Sequence, residues 1–150
     1  MGHAASQMSK QQTRRLMREQ RRNLSPRQQT QASDALARTL SRQLFFVRAR
    51  NIAFYLPNDG EIDPTPLLEL AVAAGKQAFL PVLDRRQVGQ LSFLNWQPGE
   101  PLIANHFGIP EPIPSGSNRC RLWTLDLVLM PLVAFDGQGN RLGMGGGFYD

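Results

Sequence analysis

The sequence predicts a three-layer α/β/α domain built on a mainly parallel sheet, and three observations predict it. Two short apolar runs, residues 51–56 (NIAFYL) and 77–82 (QAFLPV), flank a helical stretch over residues 63–74. A strand–helix–strand unit of that spacing closes as a right-handed parallel crossover. A third run, residues 127–130 (LVLM), is β-branched at Val128 and apolar at every position, which suits a strand buried on both faces. The chain has 150 residues and is 41% hydrophobic, enough for one domain with its own core.

Taken in order, residues 1–7 are expected to form a flexible leader. Residues 8–23 read as a helix carrying Lys10, Arg14, Arg15, Arg18, Arg21 and Arg22. Lys10, Arg14, Arg18 and Arg22 recur every fourth residue, so they form one cationic row. Stacked like charges cost helix stability unless solvent, salt or an anion relieves them. Leu16 and Met17 give only a small apolar foothold. The row reads as a solvated face or as a helix that binds nucleic acid.

Ser25, Pro26 and Gln28 form a helix start, with a cap, a first-turn proline and a capping-box partner. That second helix is expected to run to about Val47, burying Ala32, Leu36, Leu40, Leu44 and Val47. The strand over 51–56 is broken by Pro57-Asn58-Asp59-Gly60. Asp63-Pro64 then starts a helix through Leu67, Leu68, Leu70 and Ala71 to Ala74, and Gly75 stops it. The strand over 77–82 leads to a polar, hairpin-like turn at 84–89 and a short strand over 91–96. Residues 98–121, rich in Pro, Gly and Ser, are expected to be mostly loop. No internal repeat is present.

The net charge of +5 is unevenly shared. Residues 1–50 hold 11 Lys and Arg against 2 Asp and Glu, whereas residues 51–150 hold 6 against 10. A basic first third on a mildly acidic body implies an anionic partner for that third. No apolar stretch is long enough to span a bilayer, and the N-terminus lacks the apolar segment of a secretory signal. Gly2 and Ser6 match a myristoylation pattern, but the pattern is short and an unstructured leader is the preferred reading. Cys120 is the only cysteine. An intrachain disulfide is therefore impossible, a reducing compartment fits, and the thiol reads as a small loop or core group. His3 and His106 have no recognised zinc spacing with it.

Chemistry concentrates at the end of the chain and at one bend. After Asp136-Gly137-Gln138-Gly139-Asn140, a turn, Arg141 leads into Gly143, Gly145, Gly146 and Gly147, then Phe148, Tyr149 and Asp150. Glycines let backbone N–H groups approach an anion, and the N-terminus of a following helix would add its dipole. Arg141 can fork onto phosphate oxygens and Asp150 can hold a Mg²⁺ that bridges them. The stretch is neither of the two standard glycine-rich phosphate motifs, so plain turns remain the alternative. Glu61 lies just past the carboxyl end of a strand, where open α/β sheets place ligands. Glu61 and Asp63 also suit simple helix capping.

Residues 131–150, PLVAFDGQGNRLGMGGGFYD, resemble the signature of the 5-formyltetrahydrofolate cyclo-ligases, also called methenyltetrahydrofolate synthetases. The similarity extends to Lys10-Gln11-Gln12-Thr13-Arg14, where Thr13 replaces the usual leucine, and to Arg21-Arg22-Asn23-Leu24-Ser25-Pro26. It includes Gly60-Glu61-Ile62-Asp63 and Phe107-Gly108-Ile109-Pro110-Glu111-Pro112. The resemblance implies a Rossmann-like sheet of the NagB/RpiA/CoA-transferase type. It also implies ATP-dependent conversion of 5-formyltetrahydrofolate to 5,10-methenyltetrahydrofolate, with ADP and phosphate released and Mg²⁺ required.

What it implies residue by residue is an ATP site at Lys10, Arg14, Arg141, Leu142, Gly143, Met144, Gly145, Gly146, Gly147, Phe148 and Tyr149. Asp150 would hold the metal. Folate would lie on Tyr55, Leu56, Glu61, Phe107, Met144, Gly145, Gly146, Gly147 and Phe148, with Glu61 accepting the paired donors of the pterin. Packing of Phe107 as an ordinary loop residue is the alternative. No catalytic residue is assigned, because aligning the formyl oxygen with the γ-phosphate is most of the task. Some relatives carry basic residues where this chain has Met144 and Gly146. Family members continue past this Asp, so the C-terminal part is expected to be missing and residues 1–150 to form one domain ending inside the nucleotide motif. A cytoplasmic monomer without membrane or nucleic-acid partner is expected. The competing expectations are a homologue that binds without turnover and a nucleic-acid-binding module led by the basic helix.

Overall fold

The structure, a computed structural model, describes residues 8–84 and 89–149. The leader over 1–7, most of the expected turn at 84–89, and Asp150 lie outside the described residues.

The first helix, α1 (Lys10–Arg22), starts on a capping box that sequence reading did not single out. Gln12 N–H donates to Ser9 Oγ (3.2 Å) and Ser9 N–H to Gln12 Oε1 (2.8 Å). The expected box at Ser25 and Gln28 opens α2 (Pro26–Leu40). That helix does not continue to Val47. Ser41 closes it, donating to Ala37 O (3.0 Å), and a separate short α3 (Leu44–Arg48) follows. The break rotates the chain, so Leu44 (68% exposed) and Val47 (55%) face outward while Phe46 and Ala49 are buried. Lys76 then closes α3, its Nζ donating to Val47 O (2.9 Å) and Ala49 O (2.7 Å).

Next come β1 (Asn51–Ala53), α4 (Thr65–Ala73), β2 (Gln77–Leu83) and β3 (Leu91–Asn95), with β6 (Leu127–Val128) much later. These strands form one sheet in the order β3-β2-β1-β6. β1 is parallel to β2 and β6, and β3 runs antiparallel at one edge. The mainly parallel, helix-layered sheet is the predicted α/β class. Residues 54–56 extend β1 without full pairing, although Phe54 N–H still donates to Phe79 O (2.8 Å).

Alternation along the strands makes two apolar layers. Ile52, Phe54, Ala78 and Leu80 meet Ala37, Phe46, Leu67, Leu68 and Ala71 from α2, α3 and α4. On the opposite face Ala53, Phe79 and Phe93 pack with Leu91, Cys120, Leu125 and Tyr149. The expectation that residues 127–130 are buried on both faces does not hold. β6 is an edge strand among the described residues, with Leu127 and Leu129 on the core and Val128 (39%) and Met130 (44%) exposed.

Residues 98–121 are also less irregular than expected. They carry a small antiparallel hairpin, β4 (Leu102–Ala104) with β5 (Pro110–Pro112), and a bridge between Arg119 and Leu94. A second hairpin, β7 (Ala134–Phe135) with β8 (Arg141–Leu142), follows β6. Among the described residues no helix is long and apolar enough to cross a membrane.

Candidate functional site

Three loops converge past the carboxyl end of β1, and each is shaped by local chemistry. The first is the bend after the strand. Asn58, Asp59, Gly60 and Glu61 form a tight turn in which Glu61 N–H donates to Asn58 O (3.1 Å). Asp59 (φ +53°) and Gly60 (φ +75°) are both left-handed, the pattern of a type I′ turn. A Cβ at Gly60 would also press on Arg21 O at 3.4 Å.

This turn aims Glu61 inward. Its Oε2 accepts from Asn58 N–H (3.0 Å), and its side chain is 10% exposed. Burial pushes the Glu61 carboxyl above the usual range, opposed by the Asn58 N–H and by Arg21, whose guanidinium lies 4.0 Å away. The turn into α4 is made by Asp63 and not by Glu61, Asp63 Oδ1 accepting from Thr65 N–H (2.9 Å) ahead of a helix whose N-cap is Pro64. Tyr55 is buried with its hydroxyl donating to Ile62 O (2.7 Å). Its pKa is raised chiefly by burial and then by Glu61.

The second loop is the glycine stretch after β8. Asp136 builds the preceding turn, Oδ1 accepting from the N–H groups of Gln138 and Asn140 (both 2.9 Å). Arg141 donates to Pro131 O (3.3 Å) and Tyr149 O (3.1 Å), so its guanidinium braces the loop from inside. Gly145 is left-handed (φ +87°), and a Cβ there would meet the Arg14 guanidinium at 3.3 Å. Tyr149, mostly buried, has its hydroxyl pushed up to about 12 by burial and then by Glu61.

The third loop joins β4 to β5. Asn105 Oδ1 accepts from the N–H groups of Phe107 (2.8 Å) and Ile109 (3.1 Å). Its Nδ2 donates to Glu111 Oε1 (2.9 Å), which also accepts from Leu83 N–H (2.9 Å) on β2. This bracket holds Phe107, 60% exposed, edge-on to Phe148 with centroids 6.5 Å apart.

Together the loops enclose a cavity of about 470 Å³. Tyr55, Leu56, Glu61 and Phe107 line it, as do Arg141, the five residues 143–147, Phe148 and Tyr149. Every residue expected on the folate side is therefore at one cavity with most of those expected on the ATP side. Three are not on its wall. Leu142 is paired with Ala134 in the hairpin. Lys10, the first residue of α1, is exposed. Arg14 reaches the glycine loop from behind, its Nε–H donating to Gly143 O (2.8 Å).

Sequence reasoning missed Asn58, Asn105 and Glu111, and the apolar wall of Pro81, Leu83 and Leu91. Pro81 and Leu83 were readable as the alternate positions of β2 that face away from the helices, and Leu91 opens the neighbouring β3. Asn105 three residues before Gly108 is also a turn signal. Asp150, the expected metal ligand, lies outside the described residues. Among the described residues no three His, Cys, Asp or Glu side chains converge as a metal site. The chemistry on offer is a buried carboxylate acceptor, an apolar slot and a cationic, glycine-rich rim.

Comparison with known proteins gives a consistent picture. The sequence pattern of the 5-formyltetrahydrofolate cyclo-ligase family matches residues 6–150. The chain is 42% identical over 135 residues to the 5-formyltetrahydrofolate cyclo-ligase of Escherichia coli K12, covering 90% of this chain and 74% of that protein. The Haemophilus influenzae enzyme of the same name is 42% identical over 141 residues, 94% of this chain and 75% of the relative. The NMR structure of Aquifex aeolicus 5,10-methenyltetrahydrofolate synthetase superposes with a TM-score of 0.80 at 32% identity, covering 95% of this chain and 71% of that one.

Proposed function

The chain belongs to the 5-formyltetrahydrofolate cyclo-ligase family, and from that premise we propose that it converts 5-formyltetrahydrofolate and ATP to 5,10-methenyltetrahydrofolate, ADP and phosphate in the cavity described above. The observation that carries this reading is the shared wall. Glu61, suited to a pterin's paired donors, and the glycine rim, suited to phosphate, face the same cavity. A reaction joining a folate oxygen to a γ-phosphate needs that proximity.

In this reading the formyl oxygen attacks the γ-phosphorus and the bond to ADP breaks. The anilino nitrogen then attacks the activated formyl carbon, phosphate departs with the oxygen, and the nitrogen gives up its proton as the ring closes. Glu61 anchors the pterin, while Tyr55, Leu56 and the apolar wall exclude water from it. Phe107, Met144 and Phe148 flank the ring system at the mouth. Arg14 and Arg141 set the shape and charge of the 143–147 loop, whose N–H groups and Tyr149 face the phosphates, and Lys10 extends the positive field along α1. Mg²⁺ would accompany the ATP phosphates and offset their charge, with Asp150 as its ligand from this chain.

The test is the absorbance of methenyl product formed by this chain from 5-formyltetrahydrofolate, ATP and Mg²⁺. Product formation that needs all three is expected. Folate binding without product under any nucleotide would leave a binding protein instead.

A further inference from the structure

The helix α1 is weakly rooted in the core. None of its residues is buried, and an isolated helix of 13 residues is marginal in water. Polar contacts tie it to the rest of the chain. Arg18 Nε–H donates to Asp59 Oδ2 (2.7 Å), and Arg22 Nε–H to Oδ1 of the same carboxylate. Arg21 donates from Nε to Asp59 O (2.7 Å) and from its terminal nitrogen to Oδ2 (3.3 Å). Gln29 of α2 adds a bond to Arg21 O (3.2 Å). One carboxylate thus gathers three arginines from the last two turns of one helix, relieving part of the repulsion that the cationic row would otherwise carry. The arginines hold the Asp59 carboxyl well below the usual range, chiefly through the bond from Arg22.

The same helix meets the site a second time, where Arg14 bonds Gly143 O (2.8 Å). Asp59 sits two residues before Glu61, in the turn on the folate side, yet its partners belong to the helix that reaches the glycine loop. Its left-handed backbone (φ +53°), unusual for a residue other than glycine, points the carboxylate at the helix and away from the cavity wall. We infer that Asp59 is a positioning residue for the nucleotide side: it clamps α1 through Arg18, Arg21 and Arg22, and so fixes Arg14 against the 143–147 loop. This rests on the functional reading above for its consequence, but the clamp itself does not.

Asp59→Asn tests it, because Asn accepts the left-handed turn while it removes the charge and one of the two oxygens that accept from the arginines. Amide exchange over α1 should speed up about tenfold, a readout that needs no substrate. The Kd for ATP, by calorimetry, should rise at least about fivefold. The Kd for 5-formyltetrahydrofolate should rise clearly less than that for ATP, since Glu61 keeps its bond from the Asn58 N–H even if Arg21 shifts. The pair Arg18→Gln with Arg22→Gln, approaching from the helix side, should reproduce the pattern and add little to Asp59→Asn. Unchanged exchange in α1 overturns the clamp. Faster exchange with unchanged ATP affinity overturns the positioning role, and an equal loss of folate affinity reduces Asp59 to a part of its own turn. Should the unaltered chain bind neither compound, the functional reading fails while exchange still decides the clamp.

Discussion

Arg14 and Gly143 are 129 positions apart in the chain, and the guanidinium Nε–H of one reaches the carbonyl of the other across 2.8 Å. The guanidinium also lies beneath Gly145, where a Cβ would sit 3.3 Å from it. This is a planar group used for shape as well as charge. Arg14→Lys keeps the charge and loses the fork. It is expected to loosen the 143–147 loop and, through it, to weaken ATP binding by about 1 kcal/mol, with little change in folate affinity. Calorimetric ATP binding equal to that of the unaltered chain would remove Arg14 from the nucleotide site.

Phe107 makes a different kind of contribution. It is 60% exposed and meets Phe148 edge-to-face at 6.5 Å, while Asn105 fixes its backbone from within the loop. Phe107→Ala should therefore alter stability by no more than about 0.5 kcal/mol. Folate affinity should fall by about 0.5–1.5 kcal/mol through lost aromatic contact. Urea unfolding and folate titration separate the two. A large stability loss with intact affinity would mean ordinary loop packing.

Much of this site could be read before any coordinates. The signature over 131–150 and the Gly60-Glu61-Ile62-Asp63 bend are contiguous, so local spacing carries them. The helix start at Ser25 follows from cap chemistry alone. What escaped depends on contacts far apart in the chain. The row Ala32, Leu36, Leu40, Leu44 has helical spacing throughout, but the core takes Phe46 and Ala49 instead, and no glycine or proline marks the break. The β4–β5 hairpin is hidden by Pro110 and Pro112, which cannot donate to a ladder and so argue against a strand. Its register is held by side chains, with Asn105 and Glu111 bracketing the loop to β2. The partnership of Asp59 with three arginines was invisible for the same reason. Charge patterning along α1 showed a row in need of an anion and could not say that the chain supplies one.

The metal should matter to one substrate only. In the proposed reading Mg²⁺ enters with the nucleotide phosphates and is held by Asp150. Chelation should abolish methenyl formation and weaken ATP binding, leaving folate affinity within about twofold, because the pterin anchor is not a metal ligand. Asp150→Asn should raise the Mg²⁺ concentration needed for half-maximal rate. A rate indifferent to chelation would exclude the metal from the reaction.

Glu61 combines a stability cost with a binding role, and pH should separate them. Burial is the main cause of its raised pKa, so the folded state disfavours the ionised carboxylate relative to the unfolded chain. Stability attributable to this group is then complete below its unfolded pKa, about 4.3, and is lost as pH rises through the higher folded value. Folate binding runs the other way, since the carboxylate must be ionised to accept both pterin donors. Its acid limb should therefore fall above the ordinary glutamate range. Glu61→Gln removes the titration. It should make the protein more resistant to urea at pH 8 than at present, weaken folate binding by about 1.5–3 kcal/mol, and flatten the acid limb. If the variant binds folate as tightly as before with the same pH profile, Glu61 is a turn residue and the pterin lies elsewhere.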